Sequence, residues 1–294
     1  MRPRLILALI AAGLAGCQAA ETPERAVLDA ALTLSFDDPD FGGLSGLELS
    51  DDGMSFVAIT DRARFVTGRI TRDGGVLTGV SDIQIIEMRG SKPGSLPKGA
   101  ADAEGLAQSP DGGLFVSFEA YQRVWAYPSV DARPRNVPRH PDFARMPGNG
   151  ALEALAIAPD GALYTLPEHS GRRDWPIPLY RLDGPIWHIV ALLPRRGGFQ
   201  PVGADFGPDG HFYLLERMFR APIGFASRVR RFTLQEGQIQ AEETLFQTPI
   251  GRHGNLEGLS VWHDGAGKIR LTMVADDNFL PFQRGQMVEY ILTD

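Results

Sequence analysis

Three glutamates in this 294-residue chain share one local phrase: Glu104 in "EGLAQSPDG", Glu153 in "EALAIAPDG" and Glu257 in "EGLSVWHDG", each seven residues before the Asp of an Asp-Gly pair. The same position holds Ser45 before Asp52-Gly53 and Val202 before Asp209-Gly210. An acid inside an otherwise apolar segment is costly without a partner, so its recurrence at one register points to a shared role. A second acidic set ends the apolar run after each Asp-Gly: Asp61, Glu119, Glu168, Glu216, and Asp276 with Asp277. Brought together, these carboxylates repel and raise one another's pKa unless a cation sits among them. Hard oxygen ligands in such number suit Ca²⁺ first, with Mg²⁺ or Mn²⁺ behind it. A plainer role is open to the second set, as solvated partners of Arg62 and Arg217, which directly follow Asp61 and Glu216.

Around a metal the chemistry falls to Glu257, His253, Arg217 and Arg252. His253 stands out from His169 and His211 because Arg252 precedes it and Glu257 lies four residues on. A guanidinium beside a metal is what a small anionic substrate, such as a phosphate ester, requires; the alternative is that these arginines only neutralise the acids. No "HExxH", no Walker-type phosphate loop and no "GxSxG" elbow occurs, which excludes the zincin, P-loop and nucleophile-elbow chemistries.

The elements that must position these groups follow from the Asp-Gly pairs themselves, which recur at Gly53, Gly112, Gly161, Gly210 and Gly265, 59, 49, 49 and 55 residues apart. A period of that size is the signature of blades or solenoid units. Each pair joins two apolar runs rich in β-branched and aromatic residues, such as "EGLAQS" and "LFVSF", which is a hairpin signal with Asp as turn former. A second hairpin signal follows at Asp73-Gly74, Asp183-Gly184 and Glu236-Gly237. Two hairpins per repeat make four strands, so the chain is predicted all-β: a propeller of four-stranded blades. The arithmetic gives five blades, or six if a degenerate blade hides in the 59- or 55-residue interval; a β-sandwich is the other all-β alternative. The fifth repeat is one strand short, and "RAVLDAALTLSF" near the N-terminus is one strand over, so the N-terminal strand is expected to close the ring. Corresponding positions of radial blades converge on the axis, and a hairpin returns the chain to its starting level. Both acidic sets should therefore share one mouth of the channel.

A net charge of −7 and a pI near 5.4 exclude a nucleic-acid footprint. The start reads as targeting: "MRPR", the apolar "LILALIAAGL", then "LAGC" ending at Cys17, the sole cysteine. This resembles a bacterial lipoprotein signal, with a plain secretory signal as the alternative. On that reading residues 1–16 are removed, Cys17 is lipidated, residues 17–26 form a tether, and residues 27–294 are the domain. Gln18, rather than Asp, after Cys17 favours the outer membrane facing the periplasm, with the membrane met only through the lipid. A monomer is expected.

The stretches "GLSGLELSDDGMSFVAITDRARF", "LPKGAADAEGLAQSPDGGLFVSFE", "NGALEALAIAPDGALYTLPE", "FYLLERMFR" and "GNLEGLSVWHDGAGKIRLTMVADDNFLPFQRGQMVEY" resemble the esterase-like, phytase-like domain of bacterial exported proteins, from about residue 40 to the end. The resemblance implies hydrolysis of phosphate or other esters on a propeller. More distantly the chain looks like calcium-dependent propeller lactonases, in which an "EG" glutamate binds the metal; Glu104 and Glu257 match that pattern, whereas Ala154 follows Glu153. Lys92, Lys98 and Lys268 are the only lysines, so the Lys-rich phosphate site of a phytate hydrolase is not matched. The expectation is a metal-dependent ester or phosphoester hydrolase, the alternative a non-catalytic envelope propeller that binds a partner or ligand.

Overall fold

A computed structural model describes residues 24–94, 96–172, 174–235, 237–280 and 283–293. The signal segment, Cys17 and the tether up to residue 23 lie outside the described residues. After β1 (Ala26–Thr33), the first blade comprises β2 (Leu44–Leu49), β3 (Ser55–Thr60), β4 (Arg64–Asp73) and β5 (Val76–Glu87). The second comprises β6 (Ala103–Gln108), β7 (Leu114–Phe118), β8 (Arg123–Tyr127) and β9 (Arg135–Asn136), and the third β10 (Leu152–Ile157), β11 (Leu163–Pro167), β12 (Ile177–Asp183) and β13 (Ile186–Leu193). The fourth comprises β14 (Gln200–Phe206), β15 (Phe212–Arg220), β16 (Gly224–Gln235) and β17 (Gln238–Gln247), and the fifth β18 (Asn255–His263), β19 (Ile269–Asp276) and β20 (Gln286–Leu292). All neighbours pair antiparallel, and β1 adds to β20 as the outer strand of the last sheet. The fold is a five-bladed β-propeller closed by its N-terminal strand.

The closure reaches slightly further than the sequence indicates. Ala26 is fully buried, and the Arg25 amide donates to the Leu245 carbonyl of the fourth blade at 2.7 Å. Residues 25 and 26 therefore belong to the ring rather than to the tether. The 59-residue interval holds no extra blade among the described residues; it is taken up by the 12-residue β5 and a loop containing the short 3₁₀ turn Lys98–Ala100.

The Asp-Gly pairs are turns held by their own aspartates. The side chains of Asp52, Asp160 and Asp264 accept from the amides of Met54, Ala162 and Ala266 at 3.0, 3.0 and 2.9 Å, the local bond that makes Asp a turn former. The first four pairs place Gly at positive φ, between 65° and 86°. The fifth differs: in "DGAGK" the positive φ of 79° falls on Gly267 rather than Gly265, because the turn is longer and closes from the Asp264 amide onto the Lys268 carbonyl.

Five apolar clusters lie one in each gap between neighbouring blades. Leu47, Phe56 and Val66 of the first blade, for example, meet Trp262 and Val274 of the fifth, and Tyr213 and Leu215 of the fourth meet Leu259 and Met273 of the fifth. The second strand of each blade faces such a gap on both sides, which is why β11 and β19 are buried along nearly their whole length instead of alternating.

Candidate functional site

Each innermost strand carries a β-bulge at one common level. Pairing with the second strand slips between Leu44 and Gly46, Ala103 and Leu106, Leu152 and Ala154, Pro201 and Gly203, and Leu256 and Gly258. The extra residue is Ser45, Glu153, Val202 or Glu257, and in the second blade Glu104 together with Gly105. A bulge re-aims its side chain, and here it turns these positions toward the axis. The small residue that follows has a separate cause. A Cβ on Gly203 would stand 2.3 Å from the Glu257 carbonyl oxygen, and one on Gly105 would stand 2.9 Å from that of Glu153. The inner strands of adjacent blades approach too closely for a side chain, so "EG" is a bulge followed by a contact.

Just inside this level Leu47, Leu106, Leu155 and Leu259 leave an axial void of about 10 Å³, no larger than one water molecule. The axis is plugged, and the acidic end is a blind well. In it, carboxylate oxygens of Asp102, Glu104 and Glu119 all lie within 4.8 Å of one another. Glu119 also accepts from the Ala151 amide at 2.6 Å, which ties the second blade to the third. Across the well Arg217, inside β15, donates Nη1 to Glu257 Oε1 and to Asn255 Oδ1 at 2.6 Å. Its Nη2 reaches Glu168 Oε1 at 3.4 Å. Asn255 Nδ2 donates to Glu257 at 2.8 Å and to Asp276 at 3.4 Å. Asp277 accepts from the Gly43 amide at 3.0 Å. The Asp61 Oδ1 is buried with no partner among the described residues. The well therefore has two halves. The fourth- and fifth-blade side is neutralised by a guanidinium, while Asp102, Glu104 and Glu119 make no ion pair among the described residues.

Several predicted residues are placed elsewhere. Glu216 is fully buried and clamped by Arg228 Nη2 at 2.7 Å and Arg230 Nη2 at 2.6 Å; with its oxygens committed to two guanidiniums inside the fourth blade, it leaves the ligand set. His253 is buried against Tyr290, its Nε2 at 2.8 Å from the phenol oxygen. Burial, and then the charge of Arg252, push its pKa down to about 4, so it stays neutral and away from the carboxylates. Arg252 is exposed on the neighbouring loop. Of the predicted catalytic set, the structure brings together only Glu257 and Arg217. His211 lies at the opposite end, 2.9 Å from the turn residue Asp209.

The family model described as esterase-like activity of phytase matches residues 39–279, which include every residue of the well. The chain belongs to the Phytase-like family. By that description it is an enzyme family of esterase-like activity. Among solved structures, the α-L-arabinofuranosidase of Podospora anserina in complex with cellotriose is 12% identical, with 90% of this chain and 96% of that one covered, at a TM-score of 0.52. The PQQ-bound aldose sugar dehydrogenase of Streptomyces coelicolor is 14% identical, with 92% and 99% covered, at a TM-score of 0.50. What this Phytase-like chain shares with them at such identities is the propeller fold. No curated protein matches the chain.

Two members of the Phytase-like well escape a reading of the sequence repeat alone. Asp102 and Asn255 stand two residues before Glu104 and Glu257, and alternation along a strand places i and i+2 on one face; that spacing was the available signal. Electrostatically the well is strained. Burial first, then Glu153 and Glu257, raise Glu104 well above the carboxylate range. Burial, then Glu168 and Glu119, do the same to Glu153. Asp61 is pushed up to about 7 by burial and by Asp276. Glu257 also reaches about 7 through burial, despite the opposing pull of Arg217. Burial works against the charge on Arg217, but Glu257, Glu153 and Glu168 outweigh it and raise its pKa. Three converging oxygen donors without a counter-cation, beside an orphaned carboxylate oxygen, fit a hard divalent cation such as Ca²⁺.

Proposed function

We propose that this chain is a divalent-cation-dependent hydrolase of ester bonds, held at the cell envelope by a lipid on Cys17. The observation that carries the reading is the convergence of Asp102, Glu104 and Glu119 within 4.8 Å on the side of the well that Arg217 does not reach. Those three, with Glu153 behind them, would hold the cation, Ca²⁺ by preference; Mg²⁺ or Mn²⁺ are the alternatives. When bound, such an ion polarises an ester oxygen and acidifies a water. The chain's own groups supply the rest. Arg217, fixed by Glu257, Asn255 and Glu168, presents a preorganised positive charge where negative charge develops on the ester oxygen. Asp61, with a free Oδ1 and a pKa near 7, is suited to take the proton of an attacking water at neutral pH. The plugged axis makes the well accessible from one end only, so substrate enters and product leaves by the same mouth.

The test is turnover by the purified domain, residues 24–294, on aryl carboxylic esters, lactones and phosphomonoesters, with Ca²⁺, Mg²⁺, Mn²⁺ or a chelator. Hydrolysis of at least one class, lost on chelation and in Glu104→Gln, is expected. Absence of turnover on every class, or turnover indifferent to chelator, would remove the proposal. Envelope anchoring is checked separately: Cys17→Ser should abolish lipid labelling and release the protein from membranes.

A further inference from the structure

Beside the acidic well, between the third and fourth blades, lies a cleft of about 260 Å³ whose lining has the opposite charge. It is formed by His169, Ser170, Arg172, Arg195, Gln200 and Phe219, with glycines at 171, 197 and 198. His169 is the partition between the two compartments. Its Nδ1 lies 3.1 Å from Glu168 Oε2, inside the well, and its Nε2 lies 2.9 Å from Gln200 Nε2, on the cleft side.

Arg195 is the unusual member. Five deeply placed arginines have carboxylate partners: Arg217 with Glu257, Arg228 and Arg230 with Glu216, Arg72 and Arg270 with Glu289; Arg123 has none among the described residues but is covered by the rings of Phe118 and Trp125. Arg195 instead donates Nε to the Trp175 carbonyl at 3.0 Å, and Nη2 to the Glu168 carbonyl at 2.8 Å and to Ser170 Oγ at 3.3 Å. Its Nη1 makes no hydrogen bond, and no carboxylate pairs with it among the described residues. The result is a part-buried guanidinium fixed by neutral oxygens, with one nitrogen unspent and its charge uncompensated at close range. Burial lowers its pKa, and the carboxylate charges of Glu216 and Glu168, which it does not touch, offset this only in part. Arg172, on the loop that Arg195 pins through Ser170 and Trp175, contributes a second guanidinium, paired among the described residues only with exposed Asp174 at 3.2 Å, an ion pair that water screens. Gly197 and Gly198 are exposed and leave the backbone uncovered beside it.

We propose that this cleft is an oxyanion-binding subsite, taking a carboxylate, phosphate or sulfate group, with Arg195 as its fixed anchor and Arg172 as its mobile arm. Arg guanidinium geometry suits such planar or tetrahedral oxyanions through paired N–H donors. The exposed ring of Phe219, 61% accessible, gives the rest of the ligand an apolar wall at the rim. On the hydrolase reading above, which this placement extends, the substrate is an ester that also carries an anionic group. The anion is held in the cleft, and His169 marks the short path to the bond over the well. The arrangement separates charges that would otherwise conflict, because the bare carboxylates of the well repel an anion and the cleft attracts it.

The anion site is tested without catalysis or metal. Inorganic phosphate and acetate are titrated into the folded domain in chelator, with binding read by calorimetry and by amide shifts. Saturable binding is expected in wild type, weaker by about tenfold or more in Arg172→Glu and abolished in Arg195→Gln, since each removes a charge-assisted contact. Because Arg195 also ties down two main-chain carbonyls, Arg172→Glu, at an exposed position, is the variant that cannot act through misfolding. Equal binding by wild type and Arg172→Glu, or no saturable binding of either anion by wild type, overturns the subsite whether or not the chain hydrolyses esters. If an ester substrate is found, Arg172→Glu should raise KM for an anion-bearing ester and leave that for its neutral counterpart unchanged; equal rises for both would also overturn it.

Discussion

Replacing Glu104 by Gln should stabilise the metal-free protein at neutral pH and blunt its response to calcium. With oxygens of Asp102, Glu104 and Glu119 within 4.8 Å of each other, one pair of unit charges at an effective dielectric constant of about 20 repels by roughly 3.5 kcal/mol. Three ionised acids would repel through three such pairs, so without a cation the cluster keeps protons. Glu104 is raised well above its ordinary 4.5, so the folded chain holds a proton that the unfolded chain gives up, at a cost of roughly 1.36 kcal/mol for each pH unit between the two pKa values. Gln carries no such penalty. Part of Glu104 remains in contact with water, which reduces that cost, and each kcal/mol relieved is worth roughly 2–4 °C in Tm for a domain of this size. With Ca²⁺ the order should narrow or reverse, because wild type gains about 2.7 kcal/mol at a hundred times its Kd and the variant gains less. The assay is thermal unfolding of both proteins at pH 5 and pH 7.5, in chelator and in Ca²⁺. A Glu104→Gln midpoint equal to wild type at both pH values in chelator, with neither protein responding to Ca²⁺, would refute the reasoning.

The pH dependence of wild type in chelator has a defined sign. Asp61 and Glu257 stand near 7 when folded and near 4 when unfolded, so the native state holds the extra protons and stability should fall as pH rises from about 4 to about 7; a denaturation midpoint that climbs across this range contradicts it. Part of that slope should survive calcium, because Asp205, at the opposite mouth, is also pushed up to about 7 by burial. Gly203→Ala forces a Cβ to within 2.3 Å of a carbonyl oxygen of the next blade and should cost about 1–3 kcal/mol or more, whereas Ala154→Gly at the matching position should cost only about 0.5–1 kcal/mol; comparable denaturation losses for the two would show that the axial contact is softer than its geometry. Glu216→Gln strands Arg228 without a carboxylate and leaves Arg230 only Glu242, which should cost about 3–5 kcal/mol while leaving the calcium-induced shift in Tm intact; loss of that shift would return Glu216 to the ligand set.

The sequence by itself determined the architecture. Asp-Gly at a near-constant interval and apolar runs on both sides are local properties, so the hairpins, the blade count and the spare N-terminal strand were all legible from "PDG" and "RAVLDAALTLSF". It also determined that Glu104, Glu153 and Glu257 share a level, since one register carries them. What it could not decide was which side chains face one another across the axis, because that depends on bulge geometry and on contacts between blades some 50 residues apart. Glu119 and Glu216 both read as acids closing a second strand, yet pairing sets Phe118 opposite Ala103 and Glu216 opposite Pro201, so Arg217 is the counterpart of Glu119, and Glu216, one residue out of step, turns into its own blade, where Arg228 and Arg230 from β16 meet it. His253 sits four residues from Glu257, but the bulge and the packing of Tyr290 send the two side chains to different compartments. Arg217 was legible as a cation and Asp102 only as an acid beside a glutamate. Asp102 meets Glu119 within the hairpin of the second blade, where the Glu119 amide donates to the Asp102 carbonyl at 2.9 Å, but only the packing of the fourth blade on the fifth sets Arg217 against Glu257, because contacts between blades are decided by the ring and by no single repeat.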